Sequence, residues 1–302
     1  MTVLARTVEA TRRYGAVVAL DRVSLDIRAG ELVGLLGPNG AGKSTLINLF
    51  VGLRRPSSGT VELLGGSPAD PVVRRGIGVT PQETGLPEVL RVGEIVDLVS
   101  AHFPGATGKA ELLDRFGLGD LVKRQIGGLS GGQKRRVAVA LAFVGNPRLV
   151  FLDEPTTGLD VEARRSLWDG VKAYHESGGT VLLTSHYLEE IEALAERVVV
   201  VGQGRVLADD TVRAVRDMVG VRRVSLVADR LPEPAGPAGL PALPGLISCE
   251  REGDRFHLLT SDSDELVVEL VRSGVPFSGL EIRPSSLEDA FLTITAKESV
   301  HV

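Results

Sequence analysis

Eight consecutive residues, Gly37, Pro38, Asn39, Gly40, Ala41, Gly42, Lys43 and Ser44, join a glycine-rich backbone to one lysine and one hydroxyl at fixed spacing. Glycines let backbone N–H groups converge on a polyphosphate without Cβ collisions, and a helix starting there adds unpaired N–H groups and a positive dipole end. Lys43 would bring a point charge to the β- and γ-phosphates, and the Ser44 hydroxyl would ligate the Mg²⁺ that bridges them. The pattern carries this meaning only between a strand and a helix. That context is present: residues 31–36 form a short apolar run, and residues 44–50 space their apolar side chains as a helix does. The motif points to a nucleotide without choosing among kinases, GTPases and motor ATPases, which share it.

Five further groups could take part in such chemistry. Residues 148–152 read as an apolar strand ending in Asp153 and Glu154. Successive side chains of an extended chain point opposite ways, so Asp153 could hold the water shell of the metal while Glu154 orients or deprotonates an attacking water. Otherwise such a pair is a solvated strand end. Ser130, Gly131, Gly132 and Gln133 open a helical run and make a second anion-ready N-terminus, or simply a turn capped by Ser130. One phosphate chain does not easily occupy both N-termini. Gln82, after the buried strand 77–80, could reach Mg²⁺ or the attacking water, although a loop glutamine is ordinarily just solvated. His186 ends the apolar run 180–185, at the carboxyl edge where α/β sheets bind ligands, or serves there as a hydrogen-bonded end residue. Tyr14, upstream of the loop in a chain with 4% aromatic residues, offers either a purine-stacking face or an ordinary tyrosine.

The elements that must position these groups follow from periodicity. Residues 3–27 read as strands forming an antiparallel flank, residues 90–100 and 110–116 as helices, 162–176 as a helix closed by Gly178 and Gly179, 188–197 as a helix and 198–207 as a hairpin. A chain of 302 residues exceeds the usual single-domain size. The expected division is an α/β domain over 1–217, with a helical subdomain at about 85–145, and a small α+β domain over 218–302 in which no catalytic constellation is visible. In that tail, 221–228 reads as a strand, 231–245 as a Pro- and Gly-rich loop, 263–273 and 286–295 as helices, with Ser286 a candidate cap. A net charge of −5 gives no electrostatic reason to bind nucleic acid or an anionic membrane. The single cysteine, Cys249, excludes an intrachain disulfide and a cysteine metal cluster. No run approaches the ~18 apolar residues of a membrane span, and the N-terminus lacks a signal-peptide pattern, so the expected compartment is the cytoplasm.

Taken in order, these motifs resemble those of the nucleotide-binding subunit of ATP-binding cassette (ABC) transporters. Tyr14 matches the adenine-stacking aromatic, residues 37–44 the Walker A loop, Gln82 the Q-loop, 129–133 the signature, and 149–154 Walker B with its glutamate. Residues 158–160 match the D-loop and His186 the switch histidine. The stretch 281–292 is similar to the tail of antibiotic and multidrug exporters of the daunorubicin-resistance type. The resemblance implies a P-loop NTPase fold with a RecA-like core, and ATP and Mg²⁺ as cofactors. It implies that Thr45 joins the nucleotide-binding set, that Ser44, Gln82 and Asp153 take the metal, and that Lys43, Gln82, Glu154 and His186 carry hydrolysis.

It also resolves the two anion sites. In this family two cassettes pair head to tail, so that Ser130, Gly131, Gly132, Gln133 and Asp160 of one would close on ATP held by the other, coupling ATP binding to dimer closure. The second cassette is expected to be another copy of this chain. A separately encoded membrane-spanning permease is the other implied partner, its coupling helix received by the segment from Gln82 to about Phe103. The chain itself would be peripheral at the cytoplasmic face of the membrane, without direct membrane insertion and without nucleic acid. Export of drugs, antibiotics or lipophilic compounds is the implied task. The competing expectation is a soluble ABC ATPase of translation or DNA maintenance, or a cassette driving a membrane machine that transports nothing. Single-chain translation members usually carry two cassettes and DNA-maintenance members long coiled coils, and neither feature is in this sequence.

Lys43→Ala is expected to abolish ATP hydrolysis and severely weaken nucleotide binding, because it removes the loop's only cation. Phosphate release and nucleotide titration check this; near-normal turnover would remove the loop from the chemistry.

Overall fold

The computed structural model describes residues 2–80, 85–185, 187–218, 220–231, 243–284 and 286–299, with side chains of the last helix described to Thr295. They group into two compact units, Met1–Asp209 and Asp210–Val302. The first unit opens with β1 (Val3–Tyr14), β2 (Val17–Arg28), β3 (Leu32–Leu36), α1 (Lys43–Phe50) and β4 (Ser58–Leu63). It continues through α2 (Pro71–Arg74), β5 (Ile77–Thr80), α3 (Val92–Ser100), α4 (Lys109–Arg115) and α5 (Gly131–Leu141). The remaining elements are β6 (Leu149–Leu152), α6 (Val161–Glu176), β7 (Thr180–Thr184), α7 (Leu188–Leu194), β8 (Arg197–Gly202) and β9 (Arg205–Thr211), the division falling within the last of these.

Every residue of β3, β6 and β7 is buried. Strands covered on both faces read as continuous apolar runs, as these do, and belong to parallel sheets. They lie in a six-stranded sheet ordered β5-β6-β7-β3-β8-β9. The pairs β5·β6, β6·β7, β7·β3 and β3·β8 are all parallel. The carboxyl ends of β6, β7 and β3 therefore come out side by side. A separate antiparallel sheet, β2-β1-β4, forms the flank the alternating polarity of residues 3–27 predicted. Between the sheets, α1 buries Leu46, Leu49 and Phe50, and Phe50 stacks on Phe151 of β6 with centroids 5.9 Å apart.

In the second unit α8 (Val212–Met218) precedes β10 (Arg222–Val227), β11 (Leu246–Glu252), β12 (Arg255–Thr260), α9 (Ser263–Arg272), β13 (Ser278–Pro284) and α10 (Leu287–Ser299). Its antiparallel sheet runs β11-β12-β10-β13. Val224, Leu226, Leu258, Leu266 and Leu270 form its core. Ser286 does cap α10, its hydroxyl accepting the Asp289 N–H at 3.2 Å while the Asp289 carboxylate accepts the Ser286 N–H at 2.9 Å. Arg223 closes the group on Asp289 at 2.6 Å.

A second aromatic cluster in the first unit ties α6 to the end of α5. Phe143 meets Phe116 at 4.9 Å and the Tyr174 ring edge-on at 5.0 Å. The Tyr174 hydroxyl donates to the Pro147 carbonyl at 2.9 Å, and burial pushes the phenol up to about 12. Between pH ~10 and ~12 the unfolded chain loses a proton that the folded chain keeps, so stability falls with rising pH by about 1.4 kcal/mol per unit in that window. Tyr174→Phe should cost about 1 kcal/mol near pH 8, where the Pro147 carbonyl loses its donor. That deficit should shrink from pH 10 towards 12 in denaturant titrations. A deficit unchanged at pH 11 would contradict the assignment.

Candidate nucleotide-binding site

The loop between β3 and α1 is shaped by close approach. A Cβ on Gly37 would sit 2.3 Å from the Val201 carbonyl oxygen, and one on Gly42 2.5 Å from the Ala19 carbonyl oxygen. Gly42 also adopts φ 107°, a region other residues rarely enter. Pro38, Asn39 and Gly40 form an exposed crest, Ala41 is buried beneath it, and Ser44 and Thr45 are half-buried in the first turn of α1. With glycine at the N-cap, no side chain satisfies the first N–H groups of α1, which remain donors for an anion. Lys43 is 8% exposed, and its ammonium donates to the Gly37 and Pro38 carbonyls at 2.6 and 3.1 Å. Burial lowers its pKa, and Glu154 and Asp153 pull it back up. The loop cation thus lies within the field of both carboxylates at the end of β6.

That second turn is held from two sides. Glu154 has φ 49°, a left-handed conformation that costs a non-glycine residue roughly 1–3 kcal/mol and persists only where its surroundings enforce it. Thr184, the buried last residue of β7, accepts the Glu154 N–H at 2.9 Å and donates its hydroxyl to Asp153 Oδ1 at 2.7 Å. From the other side Arg135 of α5 donates to the Asp153 carbonyl at 2.6 Å, the Glu154 carbonyl at 3.0 Å and the Pro155 carbonyl at 3.4 Å. Burial lowers the Arg135 pKa, against the pull of Asp153 and Glu154. Sequence reasoning missed both residues. The signal available for Arg135 was a basic residue on the buried face of α5, three and four positions before Ala138 and Val139.

The remaining expected site residues have local tasks that the structure makes plain. Ser130 caps α5: its hydroxyl accepts the Gln133 N–H at 3.2 Å, and the Gln133 side chain accepts the Ser130 N–H at 3.0 Å. Asp160 caps α6, accepting the Ala163 N–H at 2.8 Å. The two turns are neighbours, since a Cβ on Gly132 would lie 3.3 Å from the Leu159 side chain and 3.4 Å from the Gly158 carbonyl oxygen. Gly131 is the first residue of α5. Among the described residues, no hydrogen bond joins residues 130–133 to residues 37–44. Tyr14 ends β1 with 40% of its surface exposed, and the Arg12 guanidinium lies 4.6 Å over its ring. Gln82 and His186 lie outside the described residues. Among the described residues no three His, Cys, Asp or Glu side chains are grouped to hold a metal by themselves.

Comparison with known proteins follows the same lines. The family described as ABC transporter matches residues 20–157. The daunorubicin resistance ATP-binding protein DrrA2 of Streptomyces coeruleorubidus is 36% identical over 303 residues, covering 94% of this chain and 92% of that protein. The Nod factor export ATP-binding protein I of Mesorhizobium japonicum is 35% identical over 299 residues, covering 95% of this chain and 85% of that one. A bacterial ABC transporter cassette solved as a dimer aligns with a TM-score of 0.62 and 28% identity, covering 69% of this chain and 98% of its own.

Thr184→Val keeps the shape of the side chain but leaves the Glu154 N–H and one Asp153 oxygen without their partner. The expected cost is about 1–3 kcal/mol of stability. A fall in kcat of roughly 10- to 100-fold, with the KM for ATP nearly unchanged, should accompany it, since only the carboxylate turn is disturbed. Steady-state kinetics alongside a denaturant titration separate the two effects; an unchanged kcat would show that Thr184 only supports the fold.

Proposed function

Because this chain belongs to the family of ABC transporter ATP-binding proteins and is an ATPase, we propose that it energises export of a lipophilic compound through a separately encoded membrane-spanning subunit. The observation that carries the export reading is the reach of the similarity. The alignment with DrrA2 and with the Nod factor export protein runs over 94% and 95% of this chain, well beyond the cassette motifs. No described helix is long and apolar enough to cross a membrane. A peripheral position at the cytoplasmic face, against the partner's membrane-spanning part, is the corresponding placement.

In this reading the polyphosphate of ATP lies on the 37–45 loop, where its oxygens take over the Lys43 donors now satisfied by the Gly37 and Pro38 carbonyls. The first-turn N–H groups of α1 bind the same phosphates, and Tyr14 stacks on the adenine. Glu154 orients and deprotonates the attacking water from a turn already fixed by Thr184 and Arg135, so little reorganisation is left for the reaction itself. Gln82 and His186 would contact the water and the γ-phosphate. The donor set of Ser44 hydroxyl, Asp153 carboxylate and Gln82 amide oxygen is all oxygen and too small to cage an ion alone, which suits Mg²⁺ completed by phosphates and water; bound there, it neutralises phosphate charge.

The second anion-ready turn, Ser130 to Gln133, then serves the ATP of another copy, with Asp160 beside it. Supporting this are the absence of a hydrogen bond from that turn to its own loop, among the described residues, and the dimeric form of the similar cassette. Lys43→Ala and Ser130→Arg should each be inactive alone, the first for want of the phosphate cation, the second because a bulky side chain meets the partner's γ-phosphate. Mixed together they should recover ATPase activity, since one site in each mixed dimer pairs an intact loop with an intact turn. ATP-driven dimerisation of the mixture is measured in parallel, so that strict two-site cooperativity is recognised. Normal hydrolysis by Ser130→Arg alone would mean each protomer is complete by itself.

A further inference from the structure

Glu190, the third residue of α7, is 8% exposed, whereas its neighbour Glu189 is exposed and already places an acid at the N-terminal end of that helix. A buried carboxylate is costly unless it is paired and hydrogen-bonded. Glu190 is, from three separate segments of the chain: one oxygen is hydrogen-bonded and the other is ion-paired. Its Oε2 accepts the Thr156 hydroxyl at 2.9 Å and the Ser185 hydroxyl at 2.8 Å. Its Oε1 faces Arg164 Nε at 3.1 Å, and the Arg164 guanidinium is itself stacked 4.2 Å over the Tyr187 ring. Ser185 also accepts the Tyr187 N–H at 3.0 Å.

The places these partners occupy decide what the carboxylate does. Thr156 is two residues beyond Glu154, and its carbonyl accepts the Leu159 N–H at 3.1 Å, starting the 158–160 turn. Arg164 is in the first turn of α6, the helix capped by Asp160. Ser185 follows the last residue of β7 and immediately precedes residue 186 in the chain. We infer that Glu190 is a positioning residue for hydrolysis, fixing the Glu154–Thr156 turn, the start of α6 and the carboxyl end of β7 against one another through a single carboxylate. This deepens the reading of Glu154 as the water-orienting group and rests on it.

Glu190→Ala should lower kcat about 10- to 100-fold, the scale of a displacement near 1 Å at a reacting group, while the KM for ATP stays within about threefold. Glu190→Gln keeps an oxygen that accepts both hydroxyls and should recover most of that loss. Thr156→Val should lower kcat by itself, yet add little in the Glu190→Ala background, because both changes break one link. If Glu190→Ala does not fold, as judged by thermal melting, the Gln and Thr156→Val variants carry the test alone. Wild-type kcat in Glu190→Ala or in Thr156→Val, additive losses in the double variant, or a rise in KM that matches the loss of kcat/KM would overturn the inference. Glu154→Gln is assayed beside them. If it hydrolyses ATP normally, the Glu154 reading fails; if it is inactive while Glu190→Ala turns over normally, only the positioning role fails.

Discussion

A parallel strand can present its carboxyl end to a ligand only where its neighbours stop at the same level, and β7 meets that demand by lying between β6 and β3 with parallel register on both sides. The glycine-rich loop leaves one neighbour and the Asp153–Glu154 turn leaves the other. Nothing in either segment determines how far apart they are; the width of β7 does. Its last residue uses that location, with the Thr184 hydroxyl bonded to Asp153 and to the Glu154 backbone. Packing of apolar residues such as Phe50 on Phe151 keeps α1 on the same sheet, so the loop cation and the carboxylates share one rigid base.

Buried charge is the second consequence. Lys43, Arg135 and Asp153 are each at most 8% exposed. Desolvation depresses both cations, and the two carboxylates oppose it. The cluster is stable as a group in which each charge answers another and the leftover donors go to backbone carbonyls. Arginine at 135 suits this because its planar fork can serve several carbonyl oxygens at once, a task that a single ammonium performs less well. Holding Glu154 at φ 49° is what these bonds accomplish, and a turn held that way needs little further ordering when water and phosphate arrive.

What was legible in the sequence was local. The strand, loop and helix at 32–50, the apolar runs of β6 and β7 and the Ser286 cap all depend on residues within a few positions of one another, where periodicity and capping rules apply. The parts missed depend on partners far away in the chain. Thr184 reaches Asp153 across 31 positions, Arg135 reaches the Asp153 carbonyl across 18, and Glu190 reaches Thr156 across 34. A threonine ending an apolar strand, a basic residue on a helical face and an acid in a helix's first turn are all ordinary until the sheet order brings them together. Gln82 was raised by the motifs around it and His186 by its place at the carboxyl edge of the sheet, and both lie outside the described residues.

Local and distant constraints meet in α5. Ser130 and Gln133 satisfy each other at its N-terminus, so the turn proposed to face another copy's nucleotide is preformed within one chain. Arg135 leaves the same eleven-residue helix little more than a turn later and ends on the carbonyls of Asp153 and Glu154. A helix this short and this well bonded moves as one body. Any displacement of the Ser130 turn must therefore either carry the strained Glu154 backbone with it or stretch charge-assisted hydrogen bonds from a buried guanidinium, which are among the more costly to break. The turn proposed to face a second ATP and the carboxylate proposed to act on the chain's own ATP are thus joined by little more than one turn of helix and one side chain.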